Sequence, residues 1–248
     1  MLEPLPDEPA AVATLGRERA LVVADYHAGL EDALRRDGVE IRTQSGERRE
    51  HVCSLLDETD ADRLVVLGDL ANAIGRPGER ERRELDELFA AVTERVPMTV
   101  VKGNHDGDIE DVVAELGYEA RVEVTPGTGV RLGEVGFAHG HTWPAQEVLA
   151  APTFCMAHEH PVVRLEDSVG GSRQERVWLR GRVNPETFAD RYEVPPSGFV
   201  VFPAFNDLLG GTWVNQGQDF LAPFLPDGLA DGEAYLLDGT RLGDYRRV

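Results

Sequence analysis

Met98-Thr99-Val100-Val101-Lys102-Gly103-Asn104-His105-Asp106 is the stretch from which the rest of the chain can be read. Pro97 to Val101 has the length and β-branched content of a buried strand. It stops at a glycine followed by three side chains that handle metals and protons. Asn104 offers a neutral amide oxygen to a metal, His105 can meet a substrate, and Asp106 can hold that imidazole in place. Gly103 lets the backbone approach an ion with no side chain in the way. Alone, such a tetrad is an ordinary loop sequence; its weight comes from where the other histidines lie.

The chain has seven histidines, and six fall in four short clusters: Asp25-Tyr26-His27, Asn104-His105-Asp106, His139-Gly140-His141 and His158-Glu159-His160. Only His51 stands apart, on a helix over Glu47 to Asp57, and reads as a surface or boundary residue. Each cluster follows an apolar run. Ala20 to Ala24 is continuous, as expected of a strand covered on both faces, and delivers Asp25 and His27. These two sit at i and i+2, which in extended chain point the same way. Arg63 to Leu67 ends at Gly68-Asp69, and Asp69, with two oxygens to share, reads as the carboxylate bridging two metals. In isolation Asp25 reads as a turn residue, His27 as a surface histidine and Asp69 as a helix cap. Five clusters of imidazole and carboxylate at strand ends reverse that reading.

At 248 residues and 42% hydrophobic, the chain is long enough for one α/β domain with a real core, and a single domain over 1–248 is expected. No apolar run approaches the roughly 20 residues of a membrane helix, and the acidic, proline-rich start does not resemble a secretory signal. Two cysteines make no disulfide framework, so a reduced cytoplasm is the expected home, and Cys155 reads as a small core residue. Forty-five acidic residues against 25 basic ones leave a net charge of −20, and Lys102 is the single lysine. Acid spread along a lysine-poor, arginine-using chain points to an extreme halophile; the alternative is an acidic surface for a basic partner. The same charge argues against a nucleic-acid grip built mainly on counterion release.

Residues 1–10 read as an irregular lead-in and 28–46 as a variable-looking segment with a loop around Gly38 and Thr43-Gln44-Ser45-Gly46. Glu79 to Arg95 is helical with Leu85, Leu88, Phe89 and Val92 inward, and its opening Glu-Arg-Glu-Arg-Arg-Glu reads as a solvated, ion-paired face. Ile109 to Leu116 is a short helix ended by Gly117. Beyond it, short runs split by glycine and proline predict a second sheet of hairpins. A polar turn is expected at Asp167 to Ser172, a short helix at Asn184 to Arg191, and a closing hairpin in the tail. The loop Pro203 to Gly211 is placed near the site, with Asn206 as a substrate contact; a plain glycine-rich connection is the alternative.

The ordered set Asp-x-His, Gly-Asp, Gly-Asn-His-Asp, His-Gly-His and His-x-His resembles the calcineurin-like metallophosphoesterase superfamily over about residues 20–165. Pro203-Ala204-Phe205-Asn206 with Gly210-Gly211, and Leu221-Ala222-Pro223-Phe224, resemble its ICC-like phosphoesterase branch, which is found in archaea and includes the ligase-associated bacterial phosphoesterases. The resemblance implies a four-layer α/β/β/α sandwich of two mixed sheets flanked by helices. It also implies a metal-dependent phosphodiesterase or nuclease, with DNA, RNA and small nucleotides open as substrates. Asp25, His27, Asp69 and His160 would hold one divalent ion, and Asp69, Asn104, His139 and His158 the other. His105 would approach the scissile phosphate with Asp106 orienting it, and His141 would be a substrate contact, an outer support or a stand-in for His139. Manganese is the expected metal, with iron and zinc suited to the same oxygen and nitrogen ligands. Two such ions about 3.5–4 Å apart would turn a bridging water into a nucleophile. The alternatives are a silent scaffold, which should have lost ligands where this chain keeps all seven, and a structural metal protein. One departure stands out: Leu70-Ala71-Asn72-Ala73 follows Asp69 where many relatives carry a further acid or histidine.

Overall fold

The apolar runs that precede Asp25, Asp69 and Asn104 lie side by side in the computed structural model, which describes residues 1–167, 170–217 and 219–248. They belong to a six-stranded sheet of β1 (Leu2–Pro4), β2 (Ala10–Leu15), β3 (Glu18–Val23), β4 (Arg63–Val66), β5 (Met98–Val101) and β6 (Val122–Thr125), in that order. β1 to β3 are antiparallel neighbours, whereas β3 to β6 are parallel. Parallel neighbours require a crossover. Here α1 (Leu30–Arg36) and α2 (Ser45–Thr59) link β3 to β4, α3 (Glu79–Thr93) links β4 to β5, and α4 (Ile109–Leu116) links β5 to β6. The three strands that lead into Asp25, Asp69 and Asn104 therefore end on one edge of the sheet.

The second sheet contains β7 (Val130–Leu132), β8 (Val135–Phe137), β9 (Thr153–Met156), β10 (Val162–Glu166), β11 (Ser172–Val183), β12 (Gly198–Val201), β13 (Leu229–Leu236) and β14 (Arg241–Asp244). Its order is β14-β13-β11-β12-β9-β8-β7, with β10 beside β11. The expected hairpins join β7 to β8, β10 to β11 and β13 to β14, but the sheet also contains crossovers. β8, β9 and β12 are parallel, with the one-turn helix α5 (Gln146–Leu149) crossing from β8 to β9. That crossover is what sends His139 and His158 to the same edge.

Three apolar layers separate the elements. One lies between the first sheet and its helices, with Val52, Leu85, Phe89 and Val112 packed on Leu21, Leu64 and Val100. A second lies between the sheets, from Ala13, Val22, Val65 and Val101 to Phe137, Cys155, Trp178 and Phe202. A third covers the outer face of the second sheet with Val148, Phe188 and Phe224, two of them from α5 and α6 (Pro185–Phe188). The result is the expected four-layer arrangement of two mixed sheets flanked by helices.

Three local expectations are corrected. Leu2–Pro4 is a strand paired with β2, because Ala10 to Leu15 has an open edge for it. Leu30–Arg36 is a helix, with acids in its first turn and arginines in its last to suit the dipole. On α3, Arg80 and Arg82 do face solvent in ion pairs, but Glu81 and Glu84 turn inward and are buried. Residues 168 and 169 of the expected turn lie outside the described residues.

Candidate metal centre

Five loops converge where the two sheets' strand ends meet. Ladder bonding runs on past the strands: Asp25 N–H donates to Gly68 O at 3.2 Å, His27 N–H to Asp69 O at 2.9 Å, and Ala157 N–H to His139 O at 2.9 Å. Asp25, His27, Asp69, His158 and His160 all have left-handed backbone, with φ between 45° and 70°. Such conformations cost of order 1–3 kcal/mol each and persist where the surroundings impose them. Asp25 and His27 are thus not in extended chain, and their convergence comes from two tight bends rather than strand alternation. Two glycines make room. A Cβ on Gly103 would lie 2.1 Å from Asp69 Oδ1, and one on Gly68 would lie 2.1 Å from His139 Nδ1.

Two groups result, one of Asp25, His27 and His160 and one of Asp69, His139 and His158. In the first, His160 Nε2 lies 3.2 Å from Asp25 Oδ1 without hydrogen-bond geometry. In the second, His139 Nε2 lies 3.3 Å from Asp69 Oδ2 and 3.1 Å from His158 Nδ1. Asp69 joins the groups, but not by sharing its two oxygens. Its Oδ1 accepts the His105 N–H at 2.8 Å, so Oδ2 alone faces both His139 and, at 3.6 Å, His27. Both oxygens of Asp25, Nε2 of His27 and of His160, and Oδ1 of Asn104 are buried with no hydrogen-bond partner. Orphaned acceptors at this density are costly unless something fills the space between them. Carboxylate, amide and imidazole donors of this kind fit divalent cations.

The imidazoles are aimed from behind. Nδ1 of His27 bonds Asn72 Oδ1 at 3.2 Å, Nδ1 of His139 bonds Leu67 O at 3.2 Å, and Nδ1 of His160 bonds Gly210 O at 3.0 Å. Each bond places the ring proton on Nδ1 and leaves Nε2 toward the cluster. His158 is reversed, with Nδ1 inward. Burial holds His27 down at about 4, and burial with the charge of His139 does the same for His158. His139 moves the other way. Burial opposes its charge, but Asp69 beside it pushes it up to about 9. Asp69 shows the reciprocal effect: against burial, His139 holds its carboxyl far below the usual range.

Around this core three expectations change. Asp106 does not orient His105. Its carboxylate is buried and accepts Ala71 N–H and Gly103 N–H, both at 2.9 Å, tying two ligand loops together. Burial pushes it up to about 6. The group that holds His105 is the main-chain carbonyl of Asn72, which receives Nδ1. Asn206 is not placed to meet a substrate. It is 1% exposed, its amide N–H donates to Tyr26 O at 3.0 Å, and its Oδ1 accepts Leu208 N–H at 3.1 Å. His141 lies outside the two groups, its ring centre 5.5 Å from that of His139, with Nδ1 buried and unpartnered. Asn72 is the residue that sequence reasoning passed over, serving His27 through its side chain and His105 through its backbone. Glu159 is the other, a fully buried acid between two ligands.

The profile of the family described as calcineurin-like phosphoesterase matches residues 18–209. A search of the curated proteins finds none that matches. Among solved structures, the crystal structure of Pseudomonas putida nuclease MPE shares the fold across 98% of this chain and 100% of that one, at 16% identity and a TM-score of 0.56. Yfce, a phosphoesterase from E. coli, aligns over 90% of this chain and 96% of its own, at 15% identity and a TM-score of 0.37.

Proposed function

The chain belongs to the calcineurin-like phosphoesterase family and is a hydrolase of phosphoric ester bonds; from that premise we propose that it is a two-cation phosphodiesterase, with manganese as the metal and nucleic acid or nucleotides as the substrate class. The observation that carries the proposal is the set of buried, unpartnered donor atoms on Asp25, His27, Asn104 and His160 around the shared Asp69 Oδ2. Asp25, His27, His160 and Asp69 would hold one cation, and Asp69, Asn104, His139 and His158 the other. When bound, such a pair polarises a phosphoryl group and lowers the pKa of water between the ions.

The protein's own part is orientation and proton handling. Asp69 keeps Oδ2 in place by spending Oδ1 on the His105 N–H, so the same carboxylate positions the loop that carries His105. With His105 Nδ1 committed to the Asn72 carbonyl, Nε2 is the nitrogen left to hold a proton for the departing oxygen. Asp106 keeps the loops of Asp69 and Asn104 in register through two backbone bonds.

Chelator-stripped protein reloaded with manganese tests this in molar salt. The panel comprises an aryl monoester, an aryl diester, cyclic nucleotides, and single- and double-stranded DNA. Manganese-dependent turnover of the aryl diester and at least one nucleotide or DNA substrate is expected. Uptake of one ion or none, or two bound ions with no turnover across the panel, would remove the basis of the assignment.

A further inference from the structure

The segment after β12 runs around the outside of the site and bonds to the backs of the ligand loops. Phe205 N–H donates to Ala24 O at 2.8 Å, Asn206 N–H to Asp25 O at 3.3 Å, and Asn206 Nδ2 to Tyr26 O at 3.0 Å. Gly210 O receives His160 Nδ1 at 3.0 Å. Thr212 N–H donates to Glu159 O at 2.9 Å and its hydroxyl to Glu159 Oε2 at 2.8 Å. Finally, Leu221 and Ala222 N–H donate to Glu159 Oε1 at 3.0 and 2.7 Å. Gly211 runs so close that a Cβ there would lie 1.8 Å from His160 O.

We propose that residues 205–217 and 219–222 form a belt that positions one cation site and not the other, with Asn206 and Glu159 as its positioning residues. The bonds given above run from the belt to Asp25 and its neighbours and to the turn that carries His160. Asp69 and His139 are held instead by His105 N–H and by Leu67 O, at the junction of the two sheets. His158 touches the belt only through its chain neighbour Glu159. The belt therefore sets the bend at Asp25 and the ring of His160, two of the three groups in the first cluster. Outer partners of metal ligands typically contribute about 10–100-fold in affinity. The inference rests on the two-cation reading proposed above.

Manganese binding to the stripped full-length protein, followed by calorimetry and by the electron spin resonance of free ion, separates the two sites without any turnover measurement. Asn104→Ala marks the second site by weakening one class of the isotherm. Asn206→Ala and Gly211→Ala are expected to weaken the other class about 10–100-fold and to leave the class marked by Asn104→Ala within about threefold. Glu159→Ala should act like Asn206→Ala. Glu159→Gln, which keeps an oxygen for Leu221 and Ala222, should recover most of the loss. A wild-type protein with two classes, in which the belt variants melt earlier but bind both ions as before, overturns the belt and leaves the two-cation reading standing. So does equal weakening of both classes, or weakening of the Asn104 class alone. A wild-type protein with fewer than two sites overturns both.

Discussion

Asp69→Asn isolates the one carboxylate that faces both groups. The variant keeps an oxygen to accept the His105 N–H at 2.8 Å, and it puts an amide NH₂ where Oδ2 now faces His139 and His27. The magnitude can be read from His139. Asp69, helped by Asp25 and the Leu67 carbonyl, raises that buried imidazole from 6.5 to about 9 against the penalty of burial, a net preference of about 3 kcal/mol for a single positive charge at this place. A divalent cation in the same space carries twice that charge, so removing Asp69's charge should cost at least ~100-fold in affinity. Because the carboxylate serves both positions, the doubly loaded fraction at subsaturating manganese should fall roughly 10⁴-fold. Manganese binding and turnover of an aryl phosphodiester measure the two consequences. The fold should survive, because asparagine tolerates the left-handed φ of 47° at this position. It also relieves the charge that Asp69 imposes on buried Asp106. Cooperative melting of the cation-free variant, at a temperature lowered by the lost attraction between Asp69 and His139, would confirm that the fold survives. Turnover within tenfold of wild type, with an unchanged isotherm, would falsify the bridging role.

Three further expectations concern proton, side chain and salt. His139 is held protonated below about 9, so a cation must displace that proton. Affinity at the second position should climb about tenfold per pH unit from 7 and level off near 9, with about one proton released per ion in calorimetry across buffers of different ionisation enthalpy. A flat pH profile would show that His139 is not a ligand. Asn72→Ala removes the acceptor of His27 but keeps the carbonyl that holds His105. It should lower manganese affinity about 10–100-fold with kcat at saturating metal nearly unchanged, whereas His105→Ala should lower kcat by about 10²–10⁴ with affinity intact. If both variants lose the same parameter, the two roles of Asn72 are wrongly divided. With a net charge of −20, raising KCl from 0.1 to 2 M should raise the melting temperature, because the Debye length shrinks from about 10 Å to below about 3 Å. A falling melting temperature would count against the halophile expectation.

What was legible in the sequence follows from which residues speak for themselves. Leu21 to Val23, Leu64 to Val66 and Met98 to Val101 are buried on both faces, so their apolar and β-branched runs marked them as buried strands. The groups that follow them are of types that gather at strand ends only for a reason. Leu30–Arg36 was hidden because its N-cap is Gly29 at φ 85°, with none of the side-chain capping that marks a start. Asp106 misled because adjacency to His105 suggested a partner, yet the tight turn sends its carboxylate back to Gly103. Asn72 was invisible in its more important role, since the carbonyl that holds His105 is one every residue carries.

Two pairs at spacing i, i+2 show the limit most clearly. Asp25 and His27 enter the same group, while His158 and His160 enter different ones. The spacing is identical, and all four residues have left-handed backbone, so neither periodicity nor local conformation distinguishes the pairs. What does is the partner of the second histidine. His27 is aimed by Asn72, in the loop that carries Asp69, and His160 by Gly210, across the site. Amide and carbonyl groups some 45 and 50 residues away therefore decide which side chains would share a cation. That partition is set by tertiary packing, and it is why substitutions outside the histidine clusters, at Asn72 and in the belt, should shift affinity at one ion while sparing the other.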